Sequence, residues 1–338
     1  MPATPRDERF VALVTPGSRA HGRFTAARVK LSAGPCAMPM TESLLDCLIV
    51  GAGPAGLTAA TYLARFRRHL LLADAGASRA RWIPASHNCP GFPFGVAGNE
   101  LLARFRLQAQ AYGVPLVHSR ISQLTRQDGH FTASDGQRHW HARTVILATG
   151  VVDRLPALEG VEEAIASGTV RLCAVCDAYE ARNDVIGVLA PIEQAIGHAA
   201  FLRTFSRQVY ALAADDAPLD AALHRRASDS GVQLWPAPSE LALVDGACQA
   251  SFADGRRLRL DTLYPVLGAD AQSGLAGALG ARLDDEGALI VDARMQTSVP
   301  GLYAIGDVVS ALNQISVAVG HAAIAATTVH RNLPENYC

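Results

Sequence analysis

Leu45-Asp46-Cys47-Leu48-Ile49-Val50-Gly51-Ala52-Gly53-Pro54-Ala55-Gly56 is an apolar run that breaks into a glycine-rich turn. Helical spacing follows from Leu57 to Arg68, and the basic residues at its end suit the negative pole of a helix. A second apolar run, His69 to Ala73, is closed by Asp74, 23 residues beyond Gly51. Strand, Gly51-x-Gly53-x-x-Gly56, helix, strand and acid together read as a dinucleotide-binding unit. Gly51 permits the tight turn, Gly53 lets a pyrophosphate approach the backbone, and Gly56 lets helix and strand pack. Asp74 can hold ribose hydroxyls. The alternative, a tight turn with no ligand, does not require the acid or the third glycine.

The 338 residues are 49% hydrophobic and 18% charged, enough for a large core and for two domains. With a formal net charge of −1, no field favours nucleic acid or an anionic membrane. The uncharged run Cys47 to Ala64 approaches the length of a membrane span, but its glycines and Pro54 mark a buried strand turning into a helix. Seven scattered cysteines and the lack of a secretory apolar region point to a reducing, cytoplasmic setting. Residues 1–43 read differently. Arg6, Arg9, Arg19, Arg23, Arg28 and Lys30 face only Asp7 and Glu8, a disordered extension or leader ahead of Met38 and Met40.

Outward from the first unit, Gln123 to Gly150 alternates polar and apolar residues around turns at Asp128-Gly129 and Asp135-Gly136, as a β-meander does. Its last strand ends in Ala148-Thr149-Gly150. Far along the chain, Gly301 to Gly306-Asp307 is another apolar strand, and an alanine-rich helix runs from Gln314 to His330. Between them, Val151 to about Gly268 has its own strand-helix-strand pattern. It opens with Cys173-Ala174-Val175-Cys176-Asp177. Two cysteines two residues apart, followed by an acid, read as a dithiol that cycles to a disulfide while the acid handles protons. Half a zinc site is the competing reading, but no second Cys-x-x-Cys exists and His139-Trp140-His141 reads as an exposed strand. Arg171 is a candidate for lowering a thiol pKa.

Taken together, the glycine triplet with Asp74, Asn88-Cys89-Pro90-Gly91, Ala148-Thr149-Gly150, the Cys-x-x-Cys-Asp and Gly306-Asp307 with Gln314 and Gly320 resemble the low-molecular-weight thioredoxin reductase family. The resemblance covers about residues 44 to 333. It implies an α/β protein of two Rossmann-like three-layer domains: an FAD domain (44–153 and 269–333) split by an inserted NAD(P)-like domain (154–268), with a tail at 334–338. It implies that Gly51, Gly53, Gly56 and Asp74 hold adenosine and pyrophosphate, that Asn88 lies near the isoalloxazine and that Gly150 also contacts the cofactor. Gly306 and Asp307 would hold the ribityl and phosphate region, and Gln314 would lie at the ring. Cys176 would face the flavin, Cys173 would attack the substrate disulfide, and Asp177 would be the acid–base residue. No metal is implied, and a homodimer is. Ala178 stands where the family carries glycine.

The inserted domain departs from that pattern. Asp184 to Leu189 leads into a helix at Gln194 to Thr204, and aligning the helices puts Ala190 and Ile192 where the first two glycines belong. Ile192 would fill the approach to a pyrophosphate, Pro191 removes an amide donor, and Glu193 adds negative charge. Asp215-Asp216 follows the next strand, Gln208 to Ala213, where a phosphate-reading arginine cluster would be expected. Use of NAD(P)H is therefore doubtful. The expected activity is a disulfide reductase acting on a thioredoxin-like protein or a small disulfide, supplied by ferredoxin, flavodoxin or free reduced flavin. Alternatives are an oxygen-dependent dithiol oxidase, an ordinary NAD(P)H-dependent reductase with a divergent loop, and a flavin redox sensor. Cys89, in a loop expected to approach the flavin, reads as a small buried filler in preference to a third redox thiol, Cys47 as core, and His321 as either a group tuning the ring or a satisfied structural histidine.

Overall fold

The computed structural model describes residues 44–215, 218–309 and 312–337. The expectations for the basic leader and for Asp216 lie outside the described residues. Strand β1 (Leu45–Val50) turns into α1 (Pro54–Arg65) and returns as β2 (Leu70–Asp74). Pro54 occupies the first helical turn, where its missing N–H breaks no helical bond. α1 stops at Arg65, short of the expected Arg68, because Arg67 takes a left-handed φ of 58°. α2 (Gly98–Ala111) leads to β3 (Leu116–His118), and the meander follows as β4 (Gln123–Gln127), β5 (His130–Ser134) and β6 (His139–Leu147). In the outer half of β6, His139 and His141 are exposed while Trp140 is buried, so Trp140 departs from the exposed strand expected there.

The chain then leaves through β7 (Val151–Asp153), α3 (Val161–Ser167) and the single turn α4 (Ala174–Asp177). β8 (Val185–Ala190), α5 (Ile192–Leu202), β9 (Gln208–Ala213), α6 (Ala221–Asp229) and β10 (Gln233–Trp235) form a second strand-helix-strand unit. A second meander, β11 (Glu240–Val244), β12 (Ala247–Ser251) and β13 (Arg257–Leu260), precedes β14 (Thr262–Pro265). β15 (Ala269–Ala271) pairs antiparallel with β7, so the outgoing and returning strands form one ladder. α7 (Gly274–Gly277), β16 (Leu302–Ala304) and α8 (Ile315–Asn332) complete the fold.

The sheets follow one plan twice. The first has the order β3-β2-β1-β6-β5-β4 with β16 also on β6, and the second has β10-β9-β8-β14. β1 pairs in parallel with β2 and β6 and is buried on both faces, which is why it reads as a continuous apolar run. On one face α1 packs against α8 through Ala59, Ala60 and Leu63 against Ala322, Ala325 and Val329, small residues that let the helices approach closely. Burying Leu57 and Leu63 completely contributes about 1.5–3 kcal/mol each. In the second unit, α5 covers one face of β8 and β9 through Ala195, Ile196 and Ala199. The antiparallel β11-β12-β13 layer covers the other with Cys248, Ala250 and Leu260. Both units place the carboxyl ends of their parallel strands where ligand sites form in such sheets.

Candidate redox and cofactor site

The turn between β1 and α1 is dictated by contacts that no side chain could survive. Gly51 has φ 107°, and a Cβ there would lie 2.2 Å from the Ala148 carbonyl oxygen. A Cβ on Gly56 would lie 1.8 Å from the Gly51 carbonyl oxygen, so the helix folds directly over the turn. Gly53 is different: its nearest neighbour would be Ser78 Oγ at 3.4 Å. Its backbone therefore faces open space, a cavity of about 940 Å3 lined by Gly51, Gly53, Asp74 and Gly150 at one side. Such a volume lies at the upper end of the range for organic-ligand sites.

The same cavity brings together nearly all the residues singled out from the sequence. Asn88, Cys173, Cys176, Asp177, Gly306, Asp307 and Gln314 also line it. Gly56 does not, because it sits beneath the turn. Cys173 and Cys176 form a disulfide, both half-buried. Gln314, at the start of α8, donates from Nε2 to Cys176 Sγ at 3.2 Å and Cys173 Sγ at 3.4 Å. Its Oε1 accepts from Asn88 Nδ2 at 2.9 Å, joining a loop after β2 to the pair.

Asp177 ends the helical turn that carries the cysteines. Tyr264 of β14 donates its hydroxyl to Asp177 Oδ1 at 3.0 Å, and Arg171 Nη1 lies 3.2 Å from Oδ2. Burial raises the Asp177 carboxyl above the usual carboxylate range, with Arg171 and Tyr264 opposing the rise. Arg171, expected beside a thiol, is thus committed to Asp177, because its backbone N–H bonds Leu263 O at 2.9 Å and sets it next to Tyr264.

Arg79 is a residue that the sequence did not signal. Its Nε and Nη2 hold Asp153 of β7 at 2.6 and 2.7 Å, and its Nη1 reaches Asp307 at 3.3 Å. Burial raises the Asp307 carboxyl while Arg79 holds it down. Tyr264 was likewise invisible, a tyrosine in an apolar strand.

The lining fits a flavin dinucleotide. The open Gly53 backbone offers an approach for a pyrophosphate, buried Asp74 faces the cavity, and Asn313 Oδ1 is buried there without a hydrogen-bond partner among the described residues.

Other candidates stand apart. Cys89 is half-buried, not the buried filler expected, and does not line the cavity, since its loop beyond Asn88 turns outward. Cys47 is fully buried, and desolvation pushes its thiol up to about 12. His321 does not line the cavity, and its buried Nδ1 lacks a partner among the described residues, so it is not a satisfied structural histidine. Among the described residues, no three His, Cys, Asp or Glu side chains are grouped to hold a metal ion, and no helix is long and apolar enough to cross a membrane.

The turn between β8 and α5 differs from its counterpart. Between the last paired residue of β1, Val50, and α1 lie Gly51, Ala52 and Gly53, whereas Pro191 alone separates β8 from α5. Gly53 precedes the first turn of α1 and Pro191 precedes that of α5, while the bonds Ala148 N–H to Val50 O and Val266 N–H to Leu189 O make Ala190 answer Gly51 and Ile192 answer Gly53. Ile192 is the first helical residue and is 6% exposed, packed in the core beneath the turn. Glu193 at the front of α5 pairs with Arg226 of α6 at 3.3 Å.

Residues 45–322 match the family described as pyridine nucleotide-disulphide oxidoreductase. The chain is 29% identical over 314 residues to thioredoxin reductase of Listeria monocytogenes, covering 88% of this chain and 97% of that protein. It is 30% identical over 301 residues to thioredoxin reductase of Aquifex aeolicus, covering 85% and 92% respectively. The crystal structure of thioredoxin reductase from Streptococcus pyogenes superposes with a TM-score of 0.77 at 26% identity, over 86% of this chain and 98% of that one.

Proposed function

The chain belongs to the pyridine nucleotide-disulphide oxidoreductase family, as a flavoprotein disulfide oxidoreductase of the thioredoxin reductase type, and from that premise we propose that its flavin is not supplied by NAD(P)H. It moves two electrons between FAD and the Cys173–Cys176 disulfide, and from there to the disulfide of a thioredoxin-like protein or a small molecule. Ferredoxin, flavodoxin or free reduced flavin is the donor. Residues 44–153 and 269–333 form the FAD domain, and 154–268 form the inserted domain.

The observation that carries this reading is the one-residue turn at Pro191. Dinucleotide binding needs a glycine-lined loop with free amides at a helix N-terminus. Here the loop is too short to cup a pyrophosphate, Pro191 lacks an amide hydrogen, and Glu193 lies where phosphate charge would accumulate.

FAD, when bound, supplies a carrier for an electron pair. Gly51, Gly53 and Gly56 shape its pyrophosphate site, Asp74 takes the ribose, Gly306 and Asp307 the ribityl and phosphate region, and Asn88, Gly150 and Gln314 the ring end. The chain's own groups do the remaining work. Cys176 faces the flavin side, and Cys173 attacks the substrate disulfide as a thiolate. Asp177, kept protonatable by burial and fixed by Tyr264 and Arg171, gives and takes the proton at sulfur.

The test mixes oxidised enzyme without oxygen with NADPH, NADH or reduced ferredoxin and follows flavin absorbance. Bleaching by reduced ferredoxin or free reduced flavin, with no rapid response to micromolar nicotinamide, is the expected result. Rapid bleaching by micromolar NADPH or NADH would sink the proposed donor.

A further inference from the structure

We propose that Gln314 is the N–H donor to the sulfur released when the Cys173–Cys176 disulfide opens, and that Asn88 is the positioning residue that turns its carboxamide. The inference rests on the redox reading of this cysteine pair and adds a group that acts on the reacting atoms themselves.

A chain of hydrogen bonds carries it. Ser86 is pinned by two backbone bonds with Val96, at 2.8 and 3.0 Å, and its Oγ bonds Asn88 Oδ1 at 3.1 Å. Asn88 Nδ2 donates to Gln314 Oε1, which leaves the Gln314 amide hydrogens pointing at both sulfurs. The reverse orientation of Gln314 would set its amide nitrogen against that of Asn88, donor to donor, and its oxygen against sulfur. Ser86, Asn88 and Gln314 thus tie a backbone anchor after β2 to the redox pair.

The chemistry needs such a donor. Two electrons from the flavin and one proton convert the disulfide into one thiol and one thiolate, breaking the S–S bond. A disulfide sulfur is a weak acceptor, but a thiolate is a full anion, so the same N–H bond strengthens as the product forms. The side chain of Gln314 makes no capping bond to α8, so it is free to serve the sulfurs.

The experiment uses the intact holoprotein, reduced anaerobically with dithiothreitol, desalted and alkylated with iodoacetamide across a pH series. Mass spectrometry assigns the modified cysteine. A hydrogen bond to a charged group corresponds to a shift of about one pH unit. Gln314→Leu should therefore raise the apparent thiol pKa by about one unit and slow alkylation about tenfold below it. Asn88→Ala should produce a smaller shift in the same direction. Asn88→Asp should match or exceed Gln314→Leu, because a carboxylate accepts from Gln314 Nε2 and draws the N–H off the sulfurs. Asp177, Arg171 and Tyr264, the ionisable groups gathered at the end of the cysteine turn, are unchanged in all three variants, and circular dichroism and melting temperature report whether the variants fold. An unshifted profile in Gln314→Leu overturns the donor role, and Asn88→Asp behaving like Asn88→Ala overturns the positioning role. Failure of the underlying reading looks different: Cys173 and Cys176 of the wild type would alkylate equally with and without prior reduction.

Discussion

The β1–α1 and β8–α5 turns occupy the same place in two copies of one plan, yet they differ in what they leave open. In the first, three residues separate strand from helix, and Gly56 must lack a side chain because the helix folds over Gly51. In the second, one proline separates them, and Ala195 answers Gly56 with a fully buried methyl group. The first turn gives up side chains to hold its backbone around a space; the second packs Ile192 into the core beneath it. The sheet and helix packing of such a unit comes from α5, β8 and β9 and not from the loop, so the architecture constrains the loop only weakly.

The largest effect should come from breaking the first turn. Gly56→Val places carbon within van der Waals overlap of the Gly51 carbonyl, so it should lower stability by more than about 3 kcal/mol and abolish bound flavin. Gln194→Val, on the exposed side of the first turn of α5, should leave flavin content unchanged. Absorbance at the flavin bands and thermal unfolding of both variants check the contrast, and equal flavin retention in the two would break it.

A smaller effect separates the charges of the two units. Arg79 ties Asp153 and Asp307 in a partly buried cluster, whereas Glu193 and Arg226 meet on the surface. Arg79→Met leaves two carboxylates facing each other and should cost about 2 kcal/mol near neutral pH. The sign follows from Asp307. Its folded-state carboxyl is raised by burial, so the native state holds more protons than the unfolded chain above the ordinary carboxylate range, and stability falls as pH rises through that window. Removing Arg79 extends the window upward, so the deficit measured by urea unfolding should be smaller at pH 5 than at pH 8. A deficit that grows on acidification would refute the assignment.

How much of this was legible depends on sequence separation. The β1–α1 unit is local: strand, glycines, helix and Asp74 lie within 30 residues, Leu45 to Asp74, and each conformational demand leaves a residue-type mark. The Cys-x-x-Cys-Asp turn is equally local. Arg79 meets partners 74 and 228 positions away, and Gln314 meets Asn88 across 226, so neither pairing leaves a pattern that a window can see. The one-residue turn before α5 was hidden for a different reason: helix and strand ends are set by which backbone groups pair, and only the paired ends of β8 and β9, Ala190 with Ala213, locate the strand end. The end of α1 failed similarly, since Arg68 looks like a helix-terminal cation but is 7% exposed and bonds His330 O and Pro334 O at 2.8 and 2.7 Å.

β16 of the first sheet and β14 of the second each serve the cavity. β16 leads into Gly306-Asp307, and β14 presents Tyr264 to Asp177. Tyr264→Phe removes one donor to the carboxylate at almost constant volume and should cost about 1 kcal/mol. Because the tyrosine opposes the upward shift of Asp177, its loss should raise that carboxyl further. The pH dependence of anaerobic, dithiothreitol-driven flavin bleaching should then move upward by less than about one unit. No movement would detach Tyr264 from proton handling.

The smallest change bears most directly on why the second turn departs from the first. If charge alone excluded nicotinamide dinucleotides, neutralising Glu193 would restore a response to NADPH. If the turn itself is the obstacle, Glu193→Gln should leave anaerobic flavin reduction by NADPH as slow as before, since Pro191 still offers no amide. The exposed bond to Arg226 contributes little, so stability should change by no more than about 0.5 kcal/mol. A gain of tenfold or more in the NADPH-driven rate would place the exclusion in a single surface charge, and the two turns would then differ in electrostatics rather than in backbone.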